Sequence, residues 1–387
     1  MTNADLLVVG GGVIGLASAW RACQAGADVT LVDPMPGHGA SWAAAGMLAA
    51  VTEAHFGEEG LLGLNLRSVE AWGGFRSELR TVTGHDLAYR DDGTLAVAYD
   101  SGDRGALHEL FRFQTELGLD STWLGPTECR DLEPLLAPVI RGGLFVAGDH
   151  QVDPRRLVEA LLEACRLSGV NLVTDRVAQL TLAGERVIGA SLNDGAVVNA
   201  GWTLLANGWE AAGTAGLPEW ARPPVRPVKG QVLRLRMPAG LPVPRHTVRA
   251  IAQGTSLYIV VRPDGEIVCG ATMEELGADQ RVTGGGIYSL MRDAQLVLPV
   301  LLEAEFTGAL AGLRPGSPDN APMIGPSRLD GLLVATGHYR NGILLAPITA
   351  ELVVGLLATA SAGGQPALPE WATAFDPRRF ERDRMPV

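Results

Sequence analysis

A chain of 387 residues, 47% hydrophobic and 19% charged, is long enough for two domains and has the apolar content of a sizeable core, which excludes a disordered chain. A net charge of −12 repels nucleic acid and anionic membrane surfaces, and no apolar stretch reaches the ~18 residues of a membrane span. No basic segment precedes the first apolar run and the four cysteines, Cys23, Cys129, Cys165 and Cys269, lack C-x-x-C spacing, so a cytoplasmic protein with reduced thiols is expected.

The first predicted element is a buried strand over 6–9, followed by a helix over 13–25 stopped by Gly26 and a second strand over 28–32 ended by Asp33. Gly10, Gly12 and Gly15 fit G-x-G-x-x-G between strand and helix, and Asp33 follows Gly15 by 18 residues. About 20 is the distance at which an acid accepts from a ribose hydroxyl in dinucleotide-binding β-α-β units. Gly10 permits the tight turn, Gly12 lets the backbone approach a pyrophosphate, and Gly15 lets helix and strand pack closely, while the helix N-terminus offers unpaired N–H groups to the phosphates. Nothing basic follows Asp33 in "DPMPGHGA", which disfavours a 2′-phosphate and hence NADP.

Further on, residues 57–83 are helical in pattern, and "YRDDGTLAVAY" (89–99) reads as a hairpin around Asp92-Gly93. Asp153 is a predicted N-cap, Pro154 the first helical residue and Gly169 the stop. Strands are expected at "VNLV", "AVV" and "WTLLANG", a hairpin at Asp264-Gly265, and a strand then a helix within 331–358. The β-α pattern thus breaks after the second strand and resumes near residues 170 and 331. That interruption favours FAD over NAD and implies two interleaved domains, a cofactor domain of 1–85, 154–222 and 307–387 and a substrate domain of 86–153 and 223–306.

Several stretches, "SWAAAGML", "RPVKGQ", "CGATME", "AGLRPG" and "GHYRNGILLAP", together with the N-terminal unit, resemble the D-amino acid oxidase superfamily, most closely the glycine oxidases of the thiazole branch of thiamine biosynthesis. The resemblance spans nearly the whole chain in order. It implies an α/β fold, a Rossmann-like FAD-binding domain interleaved with an antiparallel-sheet substrate domain. It sets Val13, Ile14, Asp33, Pro34, Ala40, Ser41, Ala45, Gly46 and Met47 against FAD, Val177 on the adenine side, and His338, Tyr339, Arg340, Asn341, Gly342, Ile343 and Leu344 at the flavin ring. Arg314 and Arg340 match the family's substrate-contacting arginines and Tyr258 its active-site tyrosine. Ser256 replaces a larger polar residue of some relatives, so substrate range does not carry over.

The activity implied is oxidation of glycine, sarcosine or small D-amino acids to the imine, with flavin taking a hydride, O2 becoming H2O2, and the imine serving thiazole synthesis. Other amine oxidases or dehydrogenases of the family, acting on D-amino acids, sarcosine or proline, are the enzymatic alternative, and a flavin-binding module without turnover is another. Read without the resemblance, Arg314 either holds a carboxylate by two parallel hydrogen bonds or ties down its loop through Asp319. Tyr258 is either a half-buried strand tyrosine or a donor to that carboxylate. Lys229, the chain's one lysine, is read as structural. No histidine or carboxylate spacing suggests a metal, and with no cysteine in the motifs the FAD is expected to be non-covalent, His38 being the other attachment candidate. Partners are then a small amine and O2, with no nucleic acid or membrane, and the sequence allows a homo-oligomer.

Overall fold

The strand Thr2–Val9 sends alternate side chains to opposite faces: Leu6 and Val8 join one buried apolar cluster, Leu7 and Val9 another. Burial on both faces marks a central strand, and the computed structural model, which describes residues 2–380, places it so. Parallel neighbours run outward in the order Leu332–Thr336, Val197–Leu205, Thr2–Val9, Val29–Val32 and Asn171–Val173, with Met323–Pro326 antiparallel at one edge. The predicted "AVV" and "WTLLANG" strands are one continuous strand, and a hairpin of Val177–Ala183 and Arg186–Leu192, unforeseen in the sequence, pairs with it.

Four helices cover one face: Val13–Gln24, Glu59–Thr83, Pro154–Ser168 and Ala346–Ser361. The third has the predicted ends, Asp153 accepting from the Arg155 N–H at 2.9 Å and Gly169 closing it in the left-handed region.

A second eight-stranded sheet runs Glu305–Gly316, Arg226–Arg236, Glu266–Gly270, Thr255–Val261, Thr247–Ala252, Thr94–Ala98, Gly143–Val146 and Thr122–Leu124. The hairpin at Asp264-Gly265 is present. The one expected around Asp92-Gly93 is not: Thr94–Ala98 lies between Thr247–Ala252, to which it is parallel, and Gly143–Val146, while Arg90 bridges to Gln151. All five residues of Thr94–Ala98 are buried, the signature of an interior strand with neighbours on both sides. Helix Gly284–Val297 packs on one face against Leu233, Leu235 and Ile259, and the opposite face, with Val232, Tyr258 and Val260, turns toward the first sheet. Among the described residues no helix is long and apolar enough to cross a membrane.

Candidate active site and cofactor cleft

A cavity of about 590 Å³ opens where the parallel strands end. Its wall takes the residues that follow each strand: Gly10 after Val9, Asp33 after Val32, Asn207 after Leu205, His338 after Thr336. Ligands of open parallel sheets bind at this carboxyl edge.

Gly10 has φ +105°, and a Cβ there would come within 2.6 Å of the Asn207 backbone; a Cβ on Gly15 would collide with the Gly10 carbonyl, so Gly15 serves helix packing and does not line the cavity. Helix Val13–Gln24 has no side-chain cap and no acid in its first turn, and Gly12, Val13 and Ile14 face the cleft. Among the described residues Val13 N–H donates to Ser41 Oγ at 3.0 Å. Asp33 accepts from the N–H groups of Gly11 and Met35, each at 2.7 Å, which fixes its carboxylate at the end of the strand.

Small residues supply the next wall. Gly39, Ala40, Ser41, Ala43, Ala44, Ala45, Gly46 and Met47 line it, and strand Glu305–Gly316 approaches so closely that a Cβ on Gly312 would lie 2.7 Å from that of Ala43. Arg262, buried, locks this segment in place by donating to the carbonyls of Ala45 and Val152 (2.9 Å) and to Gln151 Oε1 (2.8 Å). Burial depresses its pKa to about 10, which leaves it charged at neutral pH.

The loop after Leu332–Thr336 brings His338, Tyr339, Arg340, Asn341, Gly342 and Ile343 to the same cavity. Tyr339 N–H donates to the Pro315 carbonyl at 2.9 Å, tying this loop to the Arg314 strand. Ser68 Oγ and Trp72 Nε1 donate to the Leu344 carbonyl at 2.5 and 2.8 Å, anchoring the loop's far end outside the cavity lining. Val177 is likewise not among the lining residues; its neighbour Arg176 is.

At the other end stand Tyr258, Arg314, Arg249, Arg340 and Glu53. Asp319 pairs with Arg379, at 2.9 and 3.0 Å, and among the described contacts of Arg314 there is none with Asp319, so the loop-tying pair is not formed. Arg314 instead donates from Nη1 to the carbonyls of Thr272 (3.2 Å) and Lys229 (3.4 Å), and no described carboxylate lies within ion-pair range of it. A planar cation with only neutral partners in a cleft wall has unspent capacity for an anion. Burial raises the Tyr258 pKa, so the phenol stays protonated, and its hydroxyl has no protein partner among the described residues. Both side chains lie on glycines: a Cβ on Gly230 would fall 2.5 Å from Arg314 Cζ, one on Gly270 2.5 Å from Tyr258 Cζ.

Lys229, one residue before Gly230, points away from the cleft and is fully buried. Its Nζ meets Asp279 at 3.0 Å and Glu274 at 3.5 Å, while Gln231 bonds Glu274 and Thr283. The "RPVKGQ" stretch thereby pins the segment whose Thr272, Met273 and Gln280 line the cavity.

The residues fit FAD. A long cleft joins a helix N-terminus with no acid in its first turn for the pyrophosphate, an acid for the ribose and a small-residue wall for a flat ring. Asn207 Oδ1, buried in the same cleft with no hydrogen-bond partner, marks a polar group the protein leaves for a ligand. None of the four cysteines, all free, lines the cavity. Among the described residues no group of three or more His, Cys, Asp or Glu is arranged to hold a metal ion.

Glu53, Arg249 and Asn207 escaped the sequence reading. Asn207 had a signal, since it ends a parallel strand in "LLANG"; Glu53 and Arg249 had none, because their pairing joins residues 196 apart.

Residues 5–356 match a family model described as FAD dependent oxidoreductase. The chain is 34% identical over 385 residues to the bifunctional protein ThiO/ThiG of Synechocystis sp., a match covering 98% of this chain and 54% of that one. It thus spans about half the length of the bifunctional relatives it matches. To the glycine oxidase of Geobacillus kaustophilus it is 33% identical over 359 residues, covering 91% of this chain and 92% of that protein. The crystal structure of glycine oxidase from Geobacillus kaustophilus superposes with a TM-score of 0.88 at 30% identity, covering 98% of this chain and 99% of that one.

Proposed function

The chain belongs to the family of FAD dependent oxidoreductases, and from that premise we propose that it oxidises glycine and comparably small amines, sarcosine and small D-amino acids, to the imine. FAD, when bound, supplies the two-electron acceptor, taking a hydride from the substrate α-carbon and passing the electrons to O2 to give H2O2. Water then hydrolyses the glycine imine to glyoxylate and ammonia, or the imine is taken up for thiazole synthesis in thiamine biosynthesis, a reading the similarity to a ThiO/ThiG protein supports.

The observation that carries this reading is Arg314, a cation with no carboxylate partner among the described residues, in the same cleft wall as the Tyr258 hydroxyl, which has no protein partner among them either. Arg314 binds the substrate carboxylate through its fork, and Tyr258 donates to the same group. Held at one end, a small amino acid presents its α-carbon to the cofactor wall, which is alignment of reactant and acceptor without a protein base. Gly10, Gly12, Val13, Ile14, Asp33, Pro34, the 39–47 segment and the loop 338–343 hold FAD, and non-covalent binding is part of the proposal: the four cysteines lie outside the cleft lining, while His38, which lies in it, stacks on Trp42. Val177 sits beside Arg176 at the adenine end, and Arg340 closes the substrate end with Glu53 and Glu58.

We also read the chain as two interleaved domains, 1–85, 154–222 and 307–387 for cofactor and 86–153 and 223–306 for substrate. The two separate sheets support that division, with strand Glu305–Gly316 crossing it. A cytoplasmic location is part of the same proposal.

The test is the colour of the purified protein. Anaerobic glycine should bleach the flavin and air should restore it. Bleaching without rapid recovery in air would favour a dehydrogenase, and no bleaching by any small amine would overturn the reading.

A further inference from the structure

The three arginines at the substrate end are not equivalent. Glu53 stands between two of them, Oε1 against Arg249 Nη1 and Oε2 2.9 Å from Arg340 Nε. Arg340 Nη2 is held in addition by Glu58, whose other oxygen accepts from Asn320 Nδ2 at 2.9 Å. Burial alone would raise the Glu53 pKa, but the guanidinium groups of Arg249 and Arg340 outweigh it and keep the carboxylate ionised. Two cations and two anions cancel, all four mostly buried, and Arg314 alone retains its charge for a ligand.

We infer that Glu53 is a specificity-determining residue: by occupying Arg249 and Arg340 it restricts the cleft to amines carrying one carboxylate. This rests on the reading above, in which Arg314 takes the substrate carboxylate. Among the described residues at this end of the cleft a second carboxylate finds no unpaired guanidinium beyond Arg314, and burial beside Arg340 lowers the pKa of His55, the remaining basic side chain there. It must displace Glu53 from two guanidinium groups or lie beside it, and like charges in a water-poor cleft repel strongly. The exclusion acts on charge and not on bulk, so it separates molecules of the same size: D-asparagine is accepted over D-aspartate. Specificity built from a repulsive element leaves a clear signature when that element is removed.

The experiment uses the FAD-loaded protein and two isosteric unreactive ligands, malonate and malonamate, at a pH where all their carboxyls are ionised. Binding is read by calorimetry and by the change in the flavin spectrum. Native protein should bind malonamate at least about tenfold more tightly than malonate. In Glu53→Gln the ratio should fall to within about threefold or invert, and in Glu53→Gln/Arg249→Met the preference for malonamate should return, since the freed cation is gone. The D-asparagine to D-aspartate ratio of kcat/KM should move in parallel. Equal binding of the two ligands by native protein overturns the inference, and that arm decides alone if the Glu53 variant fails to fold or to keep FAD. An unchanged ratio in Glu53→Gln also overturns it. If glycine bleaches the flavin but neither ligand binds, exclusion is by size and charge selection falls by itself. If glycine does not bleach the flavin either, the amino acid reading has failed and this inference falls with it.

Discussion

The guanidinium of Arg314 rests over Gly230, on the neighbouring strand, where a Cβ would intrude to 2.5 Å of its central carbon. The obstacle is the tip of a flexible side chain, so Gly230→Ala should leave the fold intact and push the guanidinium aside. The second-order rate constant for flavin reduction by glycine should drop about tenfold in Gly230→Ala and roughly a hundredfold or more in Arg314→Ala, with partial recovery in Arg314→Lys, which keeps the charge but not the fork. Anaerobic stopped-flow bleaching measures both, with a carboxylate-free amine as control. Equal losses on the two amines would assign Arg314 to the fold or the cofactor.

Tyr258→Phe removes one donor and little volume. A hydrogen bond to the substrate carboxylate, worth about 1.5–3 kcal/mol, corresponds to a loss of roughly ten- to a hundredfold in kcat/KM for glycine, with FAD content unchanged. Because burial raises the phenol's pKa above its ordinary 10, the hydroxyl keeps its proton throughout the neutral range. Profiles of kcat/KM against pH for the native protein and for Tyr258→Phe should therefore run parallel below pH 10; an inflection lost only in the variant would contradict this placement.

Asp33→Ala should give a paler protein of the same fold. Loss of a charged acceptor for ribose is worth about 2–3 kcal/mol, or roughly a hundredfold in FAD dissociation constant, with Asp33→Asn between. Titrating the apoprotein with FAD checks it. Unchanged affinity would confine Asp33 to holding the N–H groups of Gly11 and Met35.

His338 is fully enclosed at the cleft, Nε2 3.0 Å from Thr349 Oγ1, and burial drives its pKa down from 6.5 to about 3. The unfolded chain therefore binds a proton that the native state refuses between those values. Stability is full above pH 6.5 and is lost as pH falls toward 3, by about 2 kcal/mol at pH 5. Denaturant unfolding at pH 7.5 and 5 should show this difference shrink in His338→Asn, whatever that change costs at neutral pH. A pH slope untouched by the substitution would show that other groups carry the acid sensitivity.

What was legible in the sequence was whatever is local. The turn at Gly10, the acid closing Val29–Val32 and the caps of Pro154–Ser168 announce themselves because the residues that cause them are neighbours. Thr94–Ala98 was misread for the opposite reason. Asp92-Gly93 has the chemistry of a hairpin turn, but the strand's partner on one side is the parallel Thr247–Ala252, some 150 residues away, which no turn signal encodes. The same holds in the site. Arg314 and Tyr258 were visible through their motifs, whereas Glu53 gains its meaning only when folding sets it between Arg249 and Arg340.

Lys229 is the single lysine of the chain, and it is sealed in the interior between Asp279 and Glu274. The molecule thus carries one internal reporter. A lysine-specific protease has a single bond to cut, after residue 229, and an acylating reagent has one side-chain amine to find. Under native conditions both should fail until the segment that buries it lifts away, so the appearance of two fragments, or of one acyl group beyond the N-terminus, measures the opening of the substrate wall directly. Saturating a substrate analogue on that wall should slow both reactions in proportion to its occupancy, giving a binding assay that needs neither turnover nor colour.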